Sequence, residues 1–90
     1  MIYKEGKVSD VQIAYIGGGS RGWAWTFMTD LALEPNMSGT IRLYDLDENA
    51  AKANEIIGNH VTEREEAVGK WKYETYTDVE QALTGADFIV

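Results

Sequence analysis

The sequence predicts an α/β fold with a doubly wound parallel sheet, and three observations carry that prediction. Short apolar runs alternate with segments of helical spacing along most of the chain. The first run, Val11–Ile16, leads straight into Gly17-Gly18-Gly19-Ser20-Arg21-Gly22. The second, Thr40–Tyr44, ends on an acid, Asp45.

Taken in order, Met1–Asp10 reads as a polar lead-in. Val11, Ile13, Ala14, Tyr15 and Ile16 are a nearly continuous apolar run, the composition of a strand buried on both faces. After the glycine turn, Ala24, Phe27 and Leu31 mark one face of a helix from Trp23 to about Leu33, stopped by Pro35. Asn36–Gly39 has loop composition, and Thr40–Tyr44 is the second strand. Asp47 can cap a long helix whose inward stripe would be Ala50, Ala53, Ile57, Val61 and Val68, with Gly58-Asn59 loosening it midway. Trp71, Tyr73 and Thr75 alternate with Lys72, Glu74 and Tyr76, a strand with one wetter face that suits a sheet edge. Asp78-Val79-Glu80-Gln81 offers a capping box for a short helix, Gly85 suits its C′ position, and Ala86–Val90 is a fourth strand.

The reading is β-α-β-α-β-α-β, and right-handed crossovers give the strand order 3-2-1-4. That is the first half of a Rossmann-type sheet and slightly more. In a six-stranded sheet the fourth strand would be interior, so residues 1–90 are expected to be an incomplete N-terminal domain of a larger enzyme. An edge left bare at Phe88, Ile89 and Val90 would favour self-association.

Ninety residues allow at most one small domain. The formal charge of −7 argues against a nucleic-acid partner, because an acidic surface repels phosphate backbones. No apolar run approaches a membrane span and no leader opens the chain, so no membrane partner is expected and the default location is the cytoplasm. With no cysteine, these residues hold neither a disulfide nor a thiolate–metal site.

Gly17-x-Gly19-x-x-Gly22 carries weight through its context: a strand before, a helix after, an acid at the end of the next strand. Gly17 permits the tight turn, Gly19 lets the backbone approach a pyrophosphate, and Gly22 lets the helix pack closely on the strand. Gly18 belongs to the same loop, Ser20 adds a hydroxyl donor, and the helix start presents unpaired N–H groups to phosphate. A side chain at Gly19 would fill the pyrophosphate space and leave the sheet core untouched. The competing reading is a glycine-rich turn with no ligand. Asp45 follows Gly22 by 23 residues, near the spacing of about 20 at which an acid meets the adenosine ribose. A carboxylate there accepts from both hydroxyls and repels a 2′-phosphate, which favours NAD over NADP. Arg21 is the nearby cation that could tolerate that phosphate. Asp47 is the rival acid, with a better role as a helix cap.

Blander readings suit the remaining residues. His60 has no cysteine or second histidine with which to share a metal. Trp23 and Trp25 cannot both face the sheet, and Glu63–Glu66 reads as a solvated helix face.

Tyr15-Ile16-Gly17-Gly18-Gly19-Ser20, Trp23-Ala24-Trp25 and Leu43-Tyr44-Asp45-Leu46-Asp47 resemble the N-terminus of glycoside hydrolase family 4, as do Asn54-Glu55-Ile56-Ile57-Gly58-Asn59 and Ala86-Asp87-Phe88-Ile89-Val90. The resemblance implies a homo-oligomeric glycosidase that uses NAD and a divalent metal, usually manganese, outside the two-carboxylate scheme. In that scheme's place, the resemblance implies that bound NAD takes a hydride from the sugar at C3, a base removes the acidified C2 proton, and the C1 substituent leaves by elimination. Water then adds and the hydride returns, while the metal polarises the C2 and C3 oxygens. Only Gly17–Gly22 and Asp45 have counterparts here; the metal ligands and base lie beyond Val90, so these residues alone are expected to be inactive. Met37-Ser38-Gly39-Thr40 and Trp71-Lys72-Tyr73-Glu74 look most like the α-galacturonidase branch. The alternatives are a dehydrogenase of the lactate/malate type, which would accumulate NADH, and a non-catalytic NAD-binding module.

Overall fold

The computed structural model describes all 90 residues, Met1–Val90. Its elements are β1 (Ile2–Lys4), β2 (Lys7–Ile16), α1 (Gly22–Ala32), β3 (Met37–Tyr44), α2 (Glu48–Thr62), β4 (Trp71–Tyr76), α3 (Val79–Leu83) and β5 (Phe88–Ile89). Strand β2 is central. It pairs in parallel with β3 along Val11–Ile16, and on its other side in parallel with β5, where Ile13 faces Phe88 and Ala14 faces Ile89. Strand β4 lies outside β3, also parallel. The parallel strands therefore run β4-β3-β2-β5, which is the expected 3-2-1-4 of a Rossmann-like sheet, with the half-polar strand at the edge.

Three expectations need correction. The lead-in is not a tail: β1 folds back antiparallel on the start of β2, with Ile2 opposite Ser9 and Lys4 opposite Lys7. The turn between them, Glu5-Gly6, has φ of 54° and 80°. Two left-handed residues match the twist of a two-residue hairpin, and a glycine takes that conformation without steric cost. Strand β3 also starts earlier than composition suggests, at Met37, because Val8 N–H donates to the Asn36 carbonyl (2.7 Å) and draws Met37–Gly39 into the ladder. A bulge at Ser9-Asp10 reconciles the registers Val8–Met37 and Val11–Gly39, with Asp10 at φ 52°.

The third correction concerns α2. Its fully buried residues are Ala51, Asn54 and Gly58; of the expected stripe, Ile57 packs half-buried against the core, Ala50 and Val61 are half-buried and Ala53 is exposed, and the helix ends at Thr62, leaving Val68 outside it and exposed. Gly58-Asn59 does not loosen it. A Cβ at Gly58 would stand 2.5 Å from Cγ of Tyr73, so glycine is what lets the helix lie against that ring. Asn59 pairs with the backbone of the same residue, donating to Tyr73 O (3.0 Å) and accepting from Tyr73 N (2.9 Å). Burial there raises the Tyr73 phenol above its usual range, and the side chain stays neutral.

The core lies between one sheet face and helices α1 and α2. Val11, Ile13, Tyr15, Ile41, Leu43, Trp71 and Tyr73 meet Ala24, Met28, Leu31 and Ala51. Full burial of side chains such as Met28, Ile41 and Leu43 contributes about 1.5–3 kcal/mol each. On the other face α3 covers Arg42. That guanidinium donates to Gln12 Oε1 and to the carbonyls of Ala82 and Thr84, and lies 5.7 Å from the Tyr76 ring. Asp78 caps α3 by accepting from Glu80 N (2.8 Å), and Gly85 follows the helix as expected. No helix is long and apolar enough to cross a membrane.

Candidate functional site

Strands β2 and β3 end side by side, with Ile16 opposite Tyr44, so the glycine turn and Asp45 emerge together. The Tyr44 carbonyl accepts from both Gly17 N and Gly18 N at 2.8 Å, which folds the turn back over the end of β3. Gly17 takes φ +87°, a left-handed position that explains why the turn begins on glycine. Gly19 N then donates to Asp45 Oδ2 (2.9 Å), while Asp45 Oδ1 accepts from Asp47 N (2.9 Å). Asp47 caps α2, its carboxylate accepting from Ala50 N at 3.1 Å. The two acids thus have separate partners: Asp45 touches the loop, and Asp47 the helix.

The start of α1 differs from the starts of α2 and α3. The latter two each carry an aspartate cap and a glutamate in the first turn; α1 has no side-chain cap and no acid there. The N–H groups of Arg21, Gly22, Trp23 and Ala24 donate to nothing within the chain. Four free donors at the positive end of a helix dipole, reached through a glycine turn, form an anion-binding geometry. Ser20 directly precedes Arg21 there, its backbone N–H donating to Gly17 O (3.0 Å). In a chain of net charge −7, the first turn of α1 carries no acid, and the nearest carboxylate, Asp45, is engaged by Gly19 N and Asp47 N.

The glycines divide their tasks differently from the sequence expectation. A Cβ on Gly22 would meet nothing within 4 Å, so close helix–strand packing is not its role. Gly18 makes the close approach instead: a Cβ there would stand 2.8 Å from Leu43 Cβ. At Gly19 a Cβ would stand 2.7 Å from Ala50 Cβ and 2.9 Å from Asp45 Oδ2. A side chain at Gly19 therefore collides with the protein itself, before any pyrophosphate is considered.

The residue that sequence reasoning missed is Asn54. It is 2% exposed, and its amide donates to both Gly18 O and Ser20 O at 2.7 Å while accepting from Trp25 Nε1 at 3.1 Å. Trp23, by contrast, is 80% exposed beside Gly22. Arg21 is exposed in the loop, whereas Arg42 is committed to the α3 carbonyls on the opposite sheet face. His60 is exposed near the end of α2, and Glu63–Glu66 follow that helix as exposed residues rather than forming one of its faces. No group of three His, Asp or Glu residues is placed to hold a metal ion.

Fold and loop together define the opening βαβ units of a Rossmann-like α/β domain. Within that class the chain belongs to glycosyl hydrolase family 4, whose profile matches residues 12–90. It is 73% identical over its whole length to an alpha-galacturonidase of Lachnoclostridium phytofermentans and 57% identical to one of Thermoanaerobacterium saccharolyticum. In each case it spans 19% of the relative's length. A solved chain with the provisional description of a glucosidase, lplD of Bacillus subtilis, superimposes with a TM-score of 0.82 at 48% identity. That match covers 90% of this chain and 18% of the other.

Proposed function

We propose that these residues form the NAD-holding part of a family 4 glycosidase that cleaves α-linked galacturonides. The observation that carries the reading is the start of α1: four unpartnered N–H groups, no acidic cap, and the Asp45 carboxylate one hydrogen bond away across Gly19. The residues fit the cofactor. The free N–H groups of Arg21–Ala24 would hold the pyrophosphate, with the Ser20 hydroxyl beside them. Asp45 would accept from the ribose hydroxyls, and its charge would oppose a 2′-phosphate. Bound NAD supplies a hydride acceptor for the sugar ring. The chain's own contribution is to bind and orient that acceptor; the metal, the base and the sugar contacts would come from residues of a longer protein. The galacturonide preference rests on the names of the relatives together with the branch-like segments Met37–Thr40 and Trp71–Glu74.

A longer protein carrying these residues is expected to release galacturonic acid from an α-galacturonide. It should do so only with NAD and a divalent metal present, and without net NADH. Stoichiometric NADH accumulation would instead indicate a dehydrogenase and overturn the reading.

A further inference from the structure

Asn54 is the one polar side chain buried in this core, and all of its bonds outside α2 run to the glycine loop or to α1. An apolar residue would fill the space without burying an amide, but would leave the Gly18 and Ser20 carbonyls without this donor. What the amide adds is direction. No peptide bond in the chain is cis. In a trans peptide the C=O and N–H of one unit point opposite ways. Drawing the Gly18 carbonyl toward Asn54 turns the Gly19 N–H away from it, toward Asp45. Drawing the Ser20 carbonyl the same way turns the Arg21 N–H outward, where it has no partner.

We propose that Asn54 is a positioning residue that sets the glycine loop in its anion-binding form by fixing the Gly18–Gly19 and Ser20–Arg21 peptide planes. Trp25 keeps the amide oxygen on its own side, leaving both amide hydrogens for the loop. The proposal rests on the NAD reading for its consequence, but the loop geometry can be read without NAD.

Two variants of the chain test it. Asn54→Ala removes both donors next to a concavity of about 230 Å³ lined by Gly19, Arg21, Trp25, Ala50 and Ile57, where water can enter and the fold can persist. Asn54→Asp keeps the shape and the acceptor for Trp25 but turns a carboxylate on two carbonyl oxygens. In both, calorimetry at neutral pH should give NAD binding ~10- to 100-fold weaker, the scale of two lost hydrogen bonds. For Asn54→Asp, affinity should recover in part as pH falls from about 8 to 5, because burial favours the protonated acid and a protonated acid can donate once. The parent chain should show no such recovery. Amide spectra should show Gly18–Arg21 displaced in both variants. A folded Asn54→Ala variant within twofold of the parent's affinity would overturn the proposal, and so would an Asn54→Asp loss that ignores pH. If the parent binds no NAD, the NAD reading fails. The positioning role then stands on the spectra: displaced Gly18–Arg21 amides support it, and unchanged ones overturn it.

Discussion

Gly19→Val is expected to abolish NAD binding, with a loss of more than ~100-fold, and to cost about 1–3 kcal/mol of stability. Both effects follow from where the Cβ would go. It would stand 2.7 Å from Ala50 Cβ and 2.9 Å from Asp45 Oδ2, so the loop must lift from α2 and give up the Gly19–Asp45 hydrogen bond. The proposed ribose acceptor and the proposed phosphate donors would lose their relation together. Val would add two further methyl groups in the space proposed for the pyrophosphate. Gly22→Ala is the natural comparison, since a Cβ there meets nothing within 4 Å and should leave the fold intact. Urea denaturation with NAD titration on both variants checks this. A Gly19→Val protein as stable as the parent and binding NAD normally would mean the loop has room that its geometry denies.

Gly39→Ala should have the largest effect on folding, a loss of more than ~4 kcal/mol, enough to unfold a chain of this size. Gly39 sits in β3 between Val11 of β2 and Trp71 of β4, immediately past the bulge at Ser9-Asp10. A Cβ there would run into the Val11 main chain, striking its carbonyl oxygen and standing 2.6 Å from its nitrogen. Backbone cannot rotate aside as a side chain can, so β2 and β3 would have to separate, and the core is built on those two strands. Circular dichroism across a urea series measures the outcome. A cooperative transition near the parent's midpoint would show that the two strands can part locally without loss of the sheet.

Gly39 also shows where reading from sequence stops. Asn36–Gly39 has the composition of a loop, and only the partner strand reveals that Met37–Gly39 belong to the ladder. The parallel strands were legible because apolar runs bounded by turn residues encode them locally, and their order because right-handed crossovers from a glycine-turn βαβ unit restrict it. So were the caps at Asp47 and Asp78, which depend on one residue and the next turn. The buried face of α2 was legible only at its margin. Hydrophobic periodicity favours Ala50, Ala53 and Ile57, and Ile57 does pack half-buried on the core, but the fully buried face is Ala51, Asn54 and Gly58. Asn54 is inside because two carbonyls across the chain need donors, and Gly58 because an aromatic ring needs space. Both reasons lie in partners more than ten residues away. The meeting of the turn with Asp45 followed from spacing, while the bonds from Asn54 to the turn did not.

The central claim, that the glycine loop and Asp45 hold NAD by its pyrophosphate and free ribose diol, is tested most directly by titrating the chain with NAD and NADP in a calorimeter. The same titrations on Asp45→Ala and Asp47→Ala complete the measurement. The chain should bind NAD at least ~10-fold more tightly than NADP. Asp45→Ala should lose ~10- to 100-fold for NAD, the scale of hydrogen bonds to a charged group, and narrow the difference between the cofactors. Asp47→Ala should cost about 1 kcal/mol of stability through the lost cap and leave the preference for NAD in place. Tighter binding of NADP than NAD by the unaltered chain, or a preference that survives Asp45→Ala and vanishes with Asp47→Ala, would contradict the account.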